Sequence, residues 1–187
     1  LALLPGSRTA ELKRHWPLFL QTYRKLRAEI PGLTAVLALP HQRALTLCKS
    51  LAPFTRADAI ATVFGEARFT ALASSTAALS KSGTNNLELA ILGIPAVVSY
   101  RMNPLTYFIA KKLVKVPYIS LPNLILHGAG HPPVYPEFVQ NRATAPALAA
   151  ALHPLLTSRV ASQKPLLATF AALMTTPKPP ADLAAAV

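Results

Sequence analysis

Five short apolar runs punctuate the first part of the chain: LALL (1–4), LTAVLAL (33–39), AIATVF (59–64), TAALS (76–80) and AVVSY (96–100). They are apolar at both odd and even positions, so a strand built from any of them must bury both of its faces. An antiparallel sheet with one wet face would alternate instead. Near-continuous apolar strands fit a parallel sheet sandwiched between two layers of helices.

The segments between the runs supply those helices. Leu12, Trp16, Phe19, Leu20, Tyr23, Leu26 and Ile30 recur at three- and four-residue spacings and predict a helix from about Glu11 to Ile30. Pro17 falls inside it and predicts a kink, or a short helix joined to a longer one. PHQRALTLCKSLA (40–52) and ARFTALASS (67–75) read as short helices. A further helix is expected at about 86–93, with Gly93 at its C-cap and Pro95 beyond. The result is a strand–helix alternation of Rossmann-like α/β type. Right-handed crossovers then put the loops PGSR (5–8) and SGTNN (82–86) at the carboxyl edge of the sheet, where open α/β sheets bind ligands.

Past Tyr100 the pattern is less regular. PLTYFIAKKLVKV (104–116) reads as an amphipathic basic helix, PYISLPNLIL (117–126) as a short strand and turn, and HGAGHPP as loop. Helical patterns return around 133–140, 145–157 and 159–174. We therefore expect one Rossmann-like domain over 1–157, a C-terminal helix over 158–174, and a disordered Pro- and Ala-rich tail over 175–187.

Composition narrows the function classes. A chain of 187 residues suits one domain, and its 52% hydrophobic content contains no uninterrupted apolar run long enough to span a bilayer. It opens directly on apolar residues, with no basic n-region and no cleavage site, so it does not read as a signal peptide. The opening reads as a strand cut at its start, and we expect a piece of a longer protein. Cys48 is the only cysteine, which excludes an internal disulfide, and its LTLCKSL setting suggests a small buried helix residue. Nineteen Lys and Arg against seven acids give +12, with Asp58 and Asp182 the only aspartates. Such a surface favours polyanions, while the shortage of acids leaves few candidates for general acid/base chemistry.

The polar stretch SKSGTNNLELA (80–90) looks at first like a P-loop, but the order is wrong, because Lys81 precedes Gly83 and no second glycine lies within reach upstream. Gly83 and Thr84 stand at a strand end where a helix begins, a place that suits a diphosphate. The competing reading is a capping box, in which Asn85 and Glu88 satisfy the first turn, and spacing tilts toward it. Glu88 could equally accept hydrogen bonds from ribose hydroxyls. In LLPGSR, Gly6 lets backbone approach an anion while Ser7 and Arg8 supply a hydroxyl and a guanidinium; an ordinary turn with a solvated Arg explains it as well. Lys111, Lys112 and Lys115 share one helical face, which reads as solvated rather than membrane-facing. His127 and His131 stand four apart, but Gly128 and Gly130 between them argue against a zinc pair. No hydrolase elbow appears, nor any aromatic RNA-binding motif or basic run.

Taken together, LALLPGSRTAEL, the block from Ser80 to Ile125, and PEFVQ resemble the C-terminal half of the lipid-A-disaccharide synthase family, glycosyltransferases of the GT-B type. The resemblance runs in order from residue 1 to about 157. It implies one half of a GT-B fold, a Rossmann-like domain that holds the UDP of a UDP-linked 2,3-diacylglucosamine donor. The acceptor would be 2,3-diacylglucosamine 1-phosphate (lipid X), and the products the disaccharide 1-phosphate and UDP. The implied setting is the cytoplasmic face of the Gram-negative inner membrane, held peripherally, with a homodimer among the family's arrangements. The acceptor domain and its catalytic base would lie in a missing N-terminal half, leaving this part inactive alone. No cofactor, metal or nucleic acid is implied.

Residue by residue, the resemblance implies Gly6, Ser7 and Arg8 near the diphosphate, with Arg8 stabilising the leaving UDP. Ser82, Gly83 and Thr84 would face phosphate and Glu88 the ribose. Asn123 would reach nucleotide or sugar with Arg101 nearby, and Glu137 and Gln140 would stand at the cleft. The chain departs from the usual SGTATLE by carrying Asn85-Asn86, and LPNLILHGAGHPPVYPEF (121–138) carries an altered loop. Two rivals stay open on the residues: a non-enzymatic basic module binding nucleic acid or anionic membrane, and another GT-B member such as a sugar-nucleotide epimerase.

Overall fold

The computed structural model describes residues 1–103, 107, 116–158 and 162–175. Six parallel strands form one sheet: β1 (Ala2–Leu4), β2 (Ala35–Leu39), β3 (Ile60–Phe64), β4 (Ala78–Lys81), β5 (Ala96–Tyr100) and β6 (Glu137–Val139). Their spatial order is β3-β2-β1-β4-β5-β6, the doubly wound order in which direction reverses between β1 and β4. Seven α-helices flank it among the described residues: α1 (Thr9–Glu29), α2 (Gln42–Leu51), α3 (Ala67–Ala73), α4 (Asn85–Ile91), α5 (Leu121–Gly128), α6 (Ala145–Thr157) and α7 (Lys164–Thr175). The α/β Rossmann-like class expected from the apolar runs is what the chain adopts.

The double-sided burial of the strands accounts for those runs. Leu1, Leu3, Leu37, Leu39, Leu79 and Val97 enter one core with α1, α2 and α6. Their neighbours Ala2, Leu4, Ala38, Ala78 and Val98 enter a second core with α3, α4, α5 and α7. Cys48 lies in the first, fully buried, and burial pushes its thiol up to about 12, which makes it an inert packing residue. The C-terminal helix α7 is tied to the second face by Leu167 and Phe170. Just before it, Gln163 receives the Ala96 N–H at 2.8 Å and donates to the Ala96 carbonyl at 3.0 Å, pinning the segment to the start of β5.

Several sequence expectations need correction. Pro17 does not split the first helix: α1 runs as one element through it, because Trp16, Leu18, Phe19 and Leu20 around the proline are all buried and hold both halves on the core. The 117–126 stretch is not a strand; Pro122 stands in the first turn of α5, where its missing N–H costs nothing. The 133–140 segment is not helical either. It supplies β6, hydrogen-bonded to β5, followed by a 3₁₀ turn at Gln140–Arg142, and the edge pairing overrides the local pattern. Most of the expected basic helix at 104–116 and the tail beyond Thr175 lie outside the described residues. No helix among the described residues is long and apolar enough to cross a membrane.

Candidate functional site

The carboxyl ends of β1 and β4 are adjacent, and their loops diverge to opposite faces of the sheet. Between them opens a crevice of about 360 Å³ walled by Gly6, Ser7 and Arg8 on one side and by Lys81, Gly83 and Thr84 on the other. Arg68, from the start of α3, also lines it. Loops that part at a reversal of strand order leave such a crevice by topology alone. A larger cavity of about 680 Å³ opens at the start of β1, beside Val36 and Ile60, with Arg56 its only charged side chain among the described residues. It lies at the amino edge of the sheet, away from the loop ends where open α/β sheets bind ligands, and is not the candidate.

The Pro5–Arg8 turn is organised by a residue the motif did not single out. Glu11, in the first turn of α1, folds back so that its Oε2 accepts the N–H groups of Ser7 at 3.0 Å and Arg8 at 3.2 Å. Its Oε1 lies 3.0 Å from the Lys81 ammonium of β4, which joins the two walls of the crevice. Burial pushes the Glu11 carboxyl up, but the two N–H groups and Lys81 outweigh it and hold the group below the usual carboxylate range. The backbone donors expected to face a phosphate are thus already occupied by a resident anion. Arg8 behaves differently: its side chain is 85% exposed and approaches Glu11 only to 3.8 Å. The signal for Glu11 was present in the sequence, as an acid three residues into a helix, the position from which a carboxylate caps its own N-terminus.

The capping box expected from Asn85 and Glu88 does not form. Thr84 is the N-cap of α4 and makes no side-chain cap, while Glu88 Oε1 accepts from Arg68 Nη2 at 2.7 Å. The ion pair with Arg68 outcompetes a local cap because a full positive charge lies within reach. The other oxygen of Glu88 is buried and has no hydrogen-bond partner among the described residues. Asn85 lines the crevice, and Asn86 is fully buried with its amide unpartnered among the described residues. Ser82 turns away, donating its hydroxyl to the Ile119 carbonyl at 2.7 Å.

Asn123 and Glu137 form a separate buried knot. Asn123 donates to the Tyr135 carbonyl and to Glu137 Oε1, both at 2.8 Å, and accepts the Val134 and Tyr135 N–H groups at 2.9 Å. Glu137 also accepts from the Ser120 hydroxyl at 2.7 Å and N–H at 3.0 Å, and from the Ile119 N–H at 2.8 Å. The four hydrogen-bonding positions of the Asn123 amide are therefore all taken within the chain.

Arg101 and Gln140 face a third cavity, of about 740 Å³, that Lys13 and Arg14 of α1 also line. The Arg101 guanidinium donates to the Ala143 carbonyl, and Gln140 brackets the backbone of Met102, receiving its N–H at 3.2 Å and donating to its carbonyl at 3.3 Å. His15, a fully buried residue not expected at the site, links Arg101 to Glu11. Its Nε2 receives the Arg101 N–H at 3.0 Å, which leaves the proton on Nδ1, donated to the Glu11 carbonyl 2.9 Å away.

Burial lowers the His15 pKa to about 4, with the Lys81 and Arg101 charges adding to the effect. In the unfolded chain the imidazole protonates near its ordinary value of about 6.5. Between these values only the unfolded state carries the proton, so stability falls as pH drops from about 6.5 to about 4, by up to about 1.4 kcal/mol per pH unit. Denaturant midpoints measured across this window should show that loss in the unsubstituted chain. His15→Gln should lack it, and parallel curves for the two would remove the assignment.

The family model described as lipid-A-disaccharide synthetase matches residues 1–176. The chain belongs to this family. A lipid-A-disaccharide synthase of Erwinia tasmaniensis is 42% identical over 173 residues, covering 92% of this chain and 44% of that protein. Those of Klebsiella pneumoniae and Pseudomonas aeruginosa are each 44% identical, over 157 and 160 residues, covering 83% of this chain and 40% of each relative. The chain thus spans less than half the length of these lipid-A-disaccharide synthases.

Proposed function

We propose that this chain is the donor-binding part of a GT-B glycosyltransferase, with the crevice between β1 and β4 receiving the UDP of a UDP-linked diacylglucosamine. The whole enzyme would join that donor to 2,3-diacylglucosamine 1-phosphate and release UDP. The observation that carries the reading is the crevice itself. Three cations line it at a strand-order reversal, in a chain whose family relatives are named lipid-A-disaccharide synthases.

In this scheme the acceptor hydroxyl attacks the anomeric carbon as the bond to UDP breaks, with inversion. The departing diphosphate gains negative charge, which the exposed Arg8 guanidinium is free to neutralise; no metal is required. Gly83 and Thr84 supply the opposite wall, and Glu88 is the acceptor for ribose hydroxyls. Asn123 and Glu137 act from behind by holding the 119–139 segment, and Arg101 and Gln140 by shaping the neighbouring cavity. The base that takes the acceptor's proton, the lipid acceptor site and peripheral attachment to the cytoplasmic face of the inner membrane belong to the whole enzyme. This part transfers no sugar by itself.

Calorimetric titration of the 187-residue chain with UDP tests the site. Binding is expected, and Arg8→Ala should weaken it about ten-fold or more, as loss of a charge-assisted contact to phosphate implies. Equal affinities for the two chains would end the role given to Arg8, and no binding by either would end the nucleotide reading.

A further inference from the structure

The three cations of the crevice are not equivalent. Lys81 is committed to Glu11, and both side chains are only 17% exposed. Arg8 is nearly free in solvent. Arg68 is intermediate, with one nitrogen on Glu88, its side chain 31% exposed and its guanidinium carbon 4.8 Å from the Phe69 ring centroid. Its remaining N–H groups make no hydrogen bond among the described residues, and the residue lines the crevice. A guanidinium carries five donors in a planar fork, so it can keep one edge on a carboxylate and present another to phosphate oxygens. A lysine ammonium keeps further donors when paired but has no planar fork to divide between a carboxylate and a phosphate.

We propose that Arg68 is a second diphosphate-binding residue, with one edge on Glu88 and its free edge on the phosphates. The proposal rests on the nucleotide reading of the crevice and deepens it. Glu88 then acts on both parts of the ligand, accepting from ribose hydroxyls and orienting the arginine that meets the diphosphate. Ribose and phosphate recognition become coupled through one ion pair. The arrangement favours a nucleoside diphosphate over either half alone.

The test compares UDP with uridine on the unsubstituted chain, Arg68→Ala, Arg68→Lys, Glu88→Gln and the Arg68→Ala/Glu88→Gln pair, by calorimetry for UDP and by NMR shift titration for uridine. Arg68→Ala should weaken UDP about ten-fold while leaving uridine within about two-fold, because a charge-assisted contact is lost only from the phosphate end. Arg68→Lys should fall between, keeping the charge without the fork. Arg68→Ala leaves the Glu88 carboxylate unpaired, so melting temperatures accompany each titration, and the double variant, with no uncompensated charge, serves if the single one does not fold. If Arg68 binds phosphate, its removal still weakens UDP in the Glu88→Gln background. Equal losses for UDP and uridine, or a loss that disappears in that background, would reduce Arg68 to a counter-ion and overturn the proposal. Failure of the unsubstituted chain to bind UDP would overturn the nucleotide reading and this proposal together, and is recognised without any variant.

Discussion

Asn123→Ala should cost about 4 kcal/mol of stability and lower the melting temperature by about 10 °C, because it strips several buried hydrogen bonds at once. The four bonds of the Asn123 amide go to Tyr135, Val134 and Glu137 within the chain. Alanine leaves two buried N–H groups and a carbonyl without their partner, and each such group bears its own desolvation cost. UDP affinity of the folded protein should change by less than about two-fold, since the amide has no donor or acceptor left for a ligand. Thermal melting paired with a UDP titration checks both parts. A large loss of affinity with little change in melting temperature would instead restore the direct contact that the LPN motif implies by resemblance. Asn123→Asp is a useful companion: it keeps the acceptor for Val134 and Tyr135 but turns a carboxylate oxygen toward Glu137, so it should also destabilise.

Gly6→Ala is expected to cost about 3 kcal/mol and to weaken UDP binding about ten-fold, through one steric event with two consequences. Gly6 has φ +112°, and a Cβ there would stand 2.6 Å from Glu11 Oε2 and 2.7 Å from Glu11 Cβ. The first contact could be relieved by turning the carboxylate away; the second involves the root of the side chain, fixed by α1. Either way Glu11 leaves the Ser7 and Arg8 N–H groups and releases Lys81, so the turn that presents Arg8 is disordered. Gly32→Ala is the control. It shares a positive φ of +76° but has open space around the added carbon, so it should show only the backbone cost of about 1 kcal/mol and no change in UDP affinity. Similar behaviour of the two variants in the titration would separate Glu11 from the organisation of the site.

Much of the architecture was legible because strand burial on two faces writes itself into composition. The runs at 1–4, 33–39, 59–64, 76–80 and 96–100 each hold most or all of a strand, and the loops after β1 and β4 meet at one edge as crossover handedness requires. The 133–140 segment reads as helical from its own residues because β6 is a three-residue edge strand whose pairing with β5 is decided from outside that segment. Pro17 does not divide α1 for a similar reason, since burial of the residues beside it outweighs the local cost of a proline.

The site divides along the same line. Gly6, Ser7, Arg8, Gly83 and Thr84 were identifiable from sequence because each sits within a few residues of a strand end, where the local motif and the sheet edge coincide. Arg68, Lys81 and His15 acquire their roles from partners on other elements, and no local pattern records such partners. Glu88 marks the boundary. Its spacing from Asn85 suggested a helix cap, yet its carboxylate goes to an arginine twenty residues earlier in the chain. The sequence by itself determined the Rossmann-like class, the family and the two loops that face the crevice, because burial periodicity and turn residues act over a few positions. Only the tertiary structure decided which charges in that crevice neutralise each other and which stay open to a ligand, because Coulomb attraction depends on distance in space and not on separation along the chain.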